Sequence, residues 1–88
     1  MEILKVSSKS NPNSVAGAVA NILKVEERID VQVIGAGALN QLVKSIIICR
    51  GFLAPLGKDI ACFPSFCDII VEGVEKTAIR FTIETLKK

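Results

Sequence analysis

A two-layer α/β fold in the order β-α-β-α-β-β is what this sequence predicts, and three observations predict it. First, the β-branched run Val31-Gln32-Val33-Ile34 passes through Gly35-Ala36-Gly37 straight into an amphipathic pattern, so a strand feeds a helix through a tight turn. Second, the last apolar segment alternates, with Ile79, Phe81 and Ile83 on one face and Arg80, Thr82 and Glu84 on the other. One face of the sheet is therefore open, and both helices pack on the opposite face. Third, 88 residues suit a single domain, which the reading assigns to residues 1–88.

Each element follows in turn. Residues 2–7 alternate around Ile3 and Val6 and predict the first strand. The polar cluster Ser8-Lys9-Ser10-Asn11-Pro12-Asn13 is a loop, and Asn13 or Ser14 caps the helix expected from Val15 to about Val25. Val15, Val19, Ile22 and Leu23 share one face of that helix, while Ala16, Gly17, Ala18 and Ala20 keep it slim. Residues 29–34 predict the second strand and 38–53 the second helix, ended by Pro55 and Gly57.

In the second helix Leu39, Leu42, Val43 and Ile46 form the expected inward stripe, with Asn40, Gln41, Lys44 and Ser45 facing away. Ile48 and Phe52 extend the outer face, where solvent favours polar groups. They are the candidate dimer-interface residues, a wide core stripe being the plain alternative. Residues 59–63 and 66–71 predict a third strand broken or bulged at Pro64-Ser65. A turn at Glu72-Gly73-Val74-Glu75 leads into the last strand.

Composition narrows the function. Half the residues are hydrophobic, a high share for a small monomer, which points to an oligomer. No run approaches the ~18–20 apolar residues of a membrane span. The start, Met1-Glu2-Ile3-Leu4-Lys5, has an early acid and no long apolar core, so it does not read as a signal peptide. An odd number of cysteines, three, argues for a reducing compartment, and cytoplasm is the expectation. Eleven basic against nine acidic residues are too balanced to signal nucleic-acid binding by bulk charge, so such a function must rest on local clustering.

Gly35 and Gly37 tolerate backbone angles and close approaches that a Cβ forbids, and they precede a helix N-terminus, which favours an anion. A tight connection with nothing bound is the plain alternative. The dinucleotide-binding fingerprint fails here: its third glycine position holds Asn40, and the motif follows the second strand, not the first. No cofactor is expected.

The segments Lys5-Val6-Ser7, Ser10, Pro12, Ser14-Val15-Ala16-Gly17-Ala18, Ile34-Gly35-Ala36-Gly37-Ala38-Leu39-Asn40-Gln41, Arg50-Gly51-Phe52 and Thr77-Ala78-Ile79 resemble the stage V sporulation protein S family, from Met1 to about Glu84. More distantly, the layout is similar to the Alba chromatin and RNA-binding proteins and to the C-terminal domain of a bacterial translation initiation factor. The resemblance implies strand order 1-2-4-3 with the last strand antiparallel, and a small bacterial regulator of sporulation or development. Alba-type proteins bind nucleic acid as dimers through the first loop, the start of the second helix and a long basic hairpin. Lys9 agrees with the first of these regions. Gly35, Ala36 and Gly37 stand where those proteins carry arginines, and the tip from Glu72 to Glu75 reads as short and acidic.

In right-handed βαβ units the loops after both parallel strands leave the same sheet edge, where ligands of open sheets sit. Ser8, Lys9, Ser10 and Asn11 are therefore expected beside Gly35, Gly37, Asn40, Gln41 and Lys44. This cluster of hydroxyls, amides, helix N-termini and two lysines suits a phosphate backbone, the candidate nucleic-acid contact; two solvated loops with ordinary caps are the alternative. No catalytic residue is proposed, since histidine, tyrosine and tryptophan are absent. Cys62 and Cys67 bracket Cys-Phe-Pro-Ser-Phe-Cys, but with Cys49 they make only three of the four ligands structural zinc normally takes, so all three read as buried free thiols and no metal is expected. The leading reading is a dimeric regulator binding DNA or RNA weakly. An oligomeric protein-interaction module is the second, and an enzyme or nucleotide binder using the glycine turn the third.

Overall fold

The computed structural model describes residues 3–87, so the expected start of the first strand at Glu2 lies outside the described residues. The elements are β1 (Ile3–Val6), α1 (Pro12–Leu23), β2 (Arg28–Val33), α2 (Ala36–Leu53), a 3-10 turn (Ala54–Leu56), β3 (Lys58–Val71) and β4 (Val74–Lys87). They form a four-stranded sheet in the order β1-β2-β4-β3. β1 and β2 are parallel, and β4 runs antiparallel to both its neighbours.

One face of this sheet meets the helices. Val6, Ile29, Val31, Val33, Ile60 and Ile83 pack there with Ala16, Val19, Ala20 and Leu23 of α1 and Ala38, Leu42, Cys49 and Leu53 of α2. At ~25 cal/mol per Å² of apolar surface, each fully buried Leu or Ile contributes roughly 1.5–3 kcal/mol to this core.

Several local details depart from the sequence expectation, each for an identifiable reason. α1 starts three residues early, because Pro12 has the backbone φ of a first helical turn and Asn11 caps it, its Oδ1 accepting from the N–H groups of Asn13 (2.9 Å) and Ser14 (3.2 Å). The buried stripe of α2 is Ala38, Leu42, Ser45, Cys49 and Leu53; of the expected stripe Leu42 is fully buried and Leu39 and Ile46 pack on the core partly buried, while Val43 does not. Val43 is exposed, and Ser45 is buried, its hydroxyl donating to the Gln41 carbonyl at 2.7 Å. With its 3-10 extension, α2 has the length and apolarity of a membrane span, contrary to expectation. Its Ala38–Leu53 stripe is nevertheless spent on the core shared with α1 and the sheet.

β3 is unbroken. Its register with β4 runs through Pro64↔Phe81 and Ser65↔Arg80 without a bulge. As an edge strand β3 points alternate N–H groups at solvent, where proline's missing donor costs nothing. The hairpin is also long, not short: both strands have 14 residues, while β2 pairs with β4 only from Val33↔Ile79 to Arg28↔Glu84. Residues 67–78 therefore extend past β2 as a two-stranded arm, and the molecule measures 43 × 22 × 16 Å. Glu72 (φ 50°) and Gly73 (φ 77°) make its two-residue turn, both in the left-handed region that such hairpins require.

Candidate nucleic-acid interface

The loop after β1 and the start of α2 meet at the carboxyl edge of the parallel pair. The loop closes on itself: Ser10 N–H donates to the Ser7 carbonyl (3.1 Å), Ser7 N–H to Ser10 Oγ (2.9 Å) and Lys9 N–H to Ser7 Oγ (3.2 Å). Gly35 sits at φ 87°, ψ 161° as the N-cap of α2, a conformation a Cβ would strain. Gly37 is needed for a different reason. A Cβ there would come within 2.9 Å of the Ser8 Cβ.

Polar contacts tie the two segments together. Gln41 Nε2 donates to the Ser10 carbonyl at 2.9 Å, and Lys44 Nζ donates to Gln41 Oε1 at 3.4 Å. A hydrogen-bonded relay thus runs from the Lys44 ammonium to the first loop. Lys9 and Asn40 are exposed. Ser8, Ser10, Gly37, Gln41 and Lys44 are linked by contact or hydrogen bond; Asn11 is committed to capping α1, and Asn40 stands on an adjoining flank of α2.

The electrostatics of the two helix starts differ. The first-turn N–H groups of α1 are occupied by Asn11, whereas α2 has no side-chain cap. Lys44 lies two turns into α2 and points back to Gln41, so it and the loop lysine Lys9 add positive charge on the side of the helix's positive dipole end, an arrangement suited to one or two phosphates. A depression of about 880 Å³ lies elsewhere, between the end of α1, the start of β2 and the end of β4. Glu26, Glu27 and Glu84 line it against the single cation Arg28, which disfavours a polyanion.

The expected interface pair behaves unequally. Phe52 is 48% exposed, but Ile48 is half-buried and packs on the core. Its neighbour Ile47 is 65% exposed, a position the sequence reading passed over. Ile47 and Val43 sit one turn apart, and three residues on Arg50 reaches Asp59 of β3 with Nε–Oδ1 at 2.8 Å and Nη2–Oδ2 at 3.0 Å. That flank of α2 therefore faces the hairpin side, where Phe66 (82% exposed) and Ile70 (73%) continue the helix-side face of the sheet uncovered.

Cys62 and Cys67 are five residues apart on one strand and so point to opposite faces. Cys62 packs on the core while Cys67 does not, and both are half-buried, not buried as expected. Burial, then the nearby Cys62, pushes the Cys49 thiol up to about 11, and burial raises Cys62 as well. Raised thiols are poor nucleophiles at neutral pH.

A family model described as Stage V sporulation protein S (SpoVS) matches residues 2–86. Among solved structures, Alba from Thermoplasma volcanium is similar with a TM-score of 0.63 at 17% sequence identity, covering 99% of this chain and 100% of that one. The second likeness is one of fold.

Proposed function

The chain belongs to the stage V sporulation protein S family, which implies a sporulation-related role, and we propose that it acts there as a cytoplasmic, homodimeric regulator that binds nucleic acid weakly through backbone phosphates. The observation that carries this reading is the joint between the first loop and α2, where the Lys44–Gln41–Ser10 relay ties a cation two turns into an uncapped helix to the first loop. Phosphate contacts position a strand without reading its sequence, so the expected binding is indifferent to sequence. With Lys9 and Lys44 as the cations at this joint, dissociation constants no tighter than about micromolar are expected at physiological salt.

The dimer is proposed through the Val43–Ile47 flank of α2 and the uncovered Phe66–Ile70 face of the hairpin, with Phe52 adding apolar area. These exposed apolar residues also favour a second reading, an oligomeric protein-interaction module that uses no nucleic acid. Catalysis forms no part of either reading. Binding isotherms for duplex DNA, single-stranded DNA and RNA at two salt concentrations separate them: weak, salt-dependent binding supports the first, and no binding at low salt supports the second.

A further inference from the structure

We infer that the open face of the sheet is a second nucleic-acid surface, one that takes single strands by base stacking combined with phosphate contact. The inference rests on the nucleic-acid reading above but uses none of the loop–helix residues. The register aligns Lys5, Gln32, Arg80 and Ser65 in one row across all four strands. Strand alternation puts this row on the face opposite Val6, Val33 and Phe81, whose side chains pack on the helices. Lys5 and Arg80 are two strands apart, roughly 10 Å at the usual strand spacing.

Charge on this face is segregated. Its carboxylates lie on one side of the row and are engaged: Asp30 accepts from Thr82 Oγ1 at 2.8 Å, Glu84 lies 3.9 Å from Arg28 Nη1, and Asp59 holds Arg50. Lys5 and Arg80 have no carboxylate partner among the described residues, and Arg80 Nε is buried without a hydrogen-bond acceptor. Toward the hairpin arm the same face carries the pairs Cys67↔Ala78 and Ile69↔Lys76, adding a cation and no carboxylate. The arm's Asp68 and Glu75 alternate onto the other face. A face whose cations Lys5, Arg80 and Lys76 have no carboxylate partner among the described residues favours an anionic ligand.

Phe63 supplies the stacking group. It pairs with Thr82, lies diagonal to Arg80 on the same face, is 55% exposed and stands outside the core. An exposed ring beside a guanidinium is a platform on which any unpaired base can stack, whereas the paired bases of a duplex offer it no free face.

Fluorescence anisotropy with labelled oligo(dT), and with a duplex of the same length, tests this on Phe63→Ala, Phe63→Trp, Arg80→Gln and Lys5→Gln, each checked by thermal melting. Phe63→Ala should weaken oligo(dT) binding about five-fold or more with duplex binding unmoved, and Phe63→Trp should restore it. Arg80→Gln and Lys5→Gln should each lower the single-strand salt slope by about 0.7. Wild-type binding to oligo(dT) that is unaltered by Phe63→Ala and Arg80→Gln overturns the inference and leaves the loop–helix reading standing. Absence of binding to any nucleic acid overturns both. Competition by poly-glutamate as effective as that by unlabelled oligo(dT) overturns it in favour of a general polyanion surface.

Discussion

A Cβ on Gly37 would stand 2.9 Å from the Cβ of Ser8, so the first loop and the second helix are in contact with no space for a methyl group between them. The contact makes the joint a single rigid unit, and it explains a glycine in a helical first turn where alanine would otherwise be preferred. Gly37→Ala should therefore cost about 1–2 kcal/mol: overpacking of ~1–3 kcal/mol outweighs a helix-propensity gain of up to ~1 kcal/mol. Ser8→Gly in the same chain should recover most of it. Denaturant unfolding of both variants checks this; a Gly37→Ala protein as stable as wild type would contradict the contact.

Exposure at α2 separates assembly from folding. Ile47→Glu should lower the dimer affinity with little change in the monomer's melting temperature, because Ile47 is 65% exposed. Ile48→Glu should instead destabilise the fold, because Ile48 packs on the core. Sedimentation and thermal melting of the pair read the two effects separately. A wild-type protein that sediments as a clean monomer at ~50 µM would remove the dimer from the account.

The buried thiol predicts an alkaline transition. Cys49 binds its proton more tightly folded (about 11) than in its ordinary state (9.0), so its contribution to stability is fully present below pH 9.0 and is lost as pH rises toward about 11. Two units correspond to a loss of roughly 3 kcal/mol. Cys49→Ala should flatten this part of the stability profile relative to wild type, whatever its cavity costs at neutral pH. Parallel profiles for the two proteins between pH 9 and 11 would refute the assignment.

Much of this fold was legible because its signals were local. The Gly35–Gly37 turn, the alternation of Ile79, Phe81 and Ile83, and the Gly57 stop each follow from backbone geometry or period. The face of α2 was not. Ile46, Ile47 and Ile48 put apolar side chains round most of the helix, so periodicity cannot choose, and the side that is buried carries the small residues Ala38 and Ser45. The bulge expected at Pro64 did not form, because the order 1-2-4-3 already implied by the resemblance puts β3 at an edge, where a proline without an N–H fits a regular register. In the candidate site, the same-edge rule anticipated the proximity of loop and helix, but the Gln41–Ser10 bond depends on a rotamer that no spacing encodes.

Charge at the hairpin tip gives a further check on how nucleic acid sits. If a bound strand reaches the arm, Glu72→Lys should strengthen binding and raise the salt slope by about one for a duplex. Unchanged affinity at low salt would confine the bound strand to the body of the molecule.

The salt dependence of duplex binding by Lys9→Ala and Lys44→Ala tests the central claim most directly. Each lysine that contacts a phosphate releases counterions, so each substitution should weaken binding similarly for unrelated sequences and lower the slope of log K against log salt by about one. Slopes and affinities indistinguishable from wild type in both variants would contradict a phosphate site at the junction of the first loop and α2.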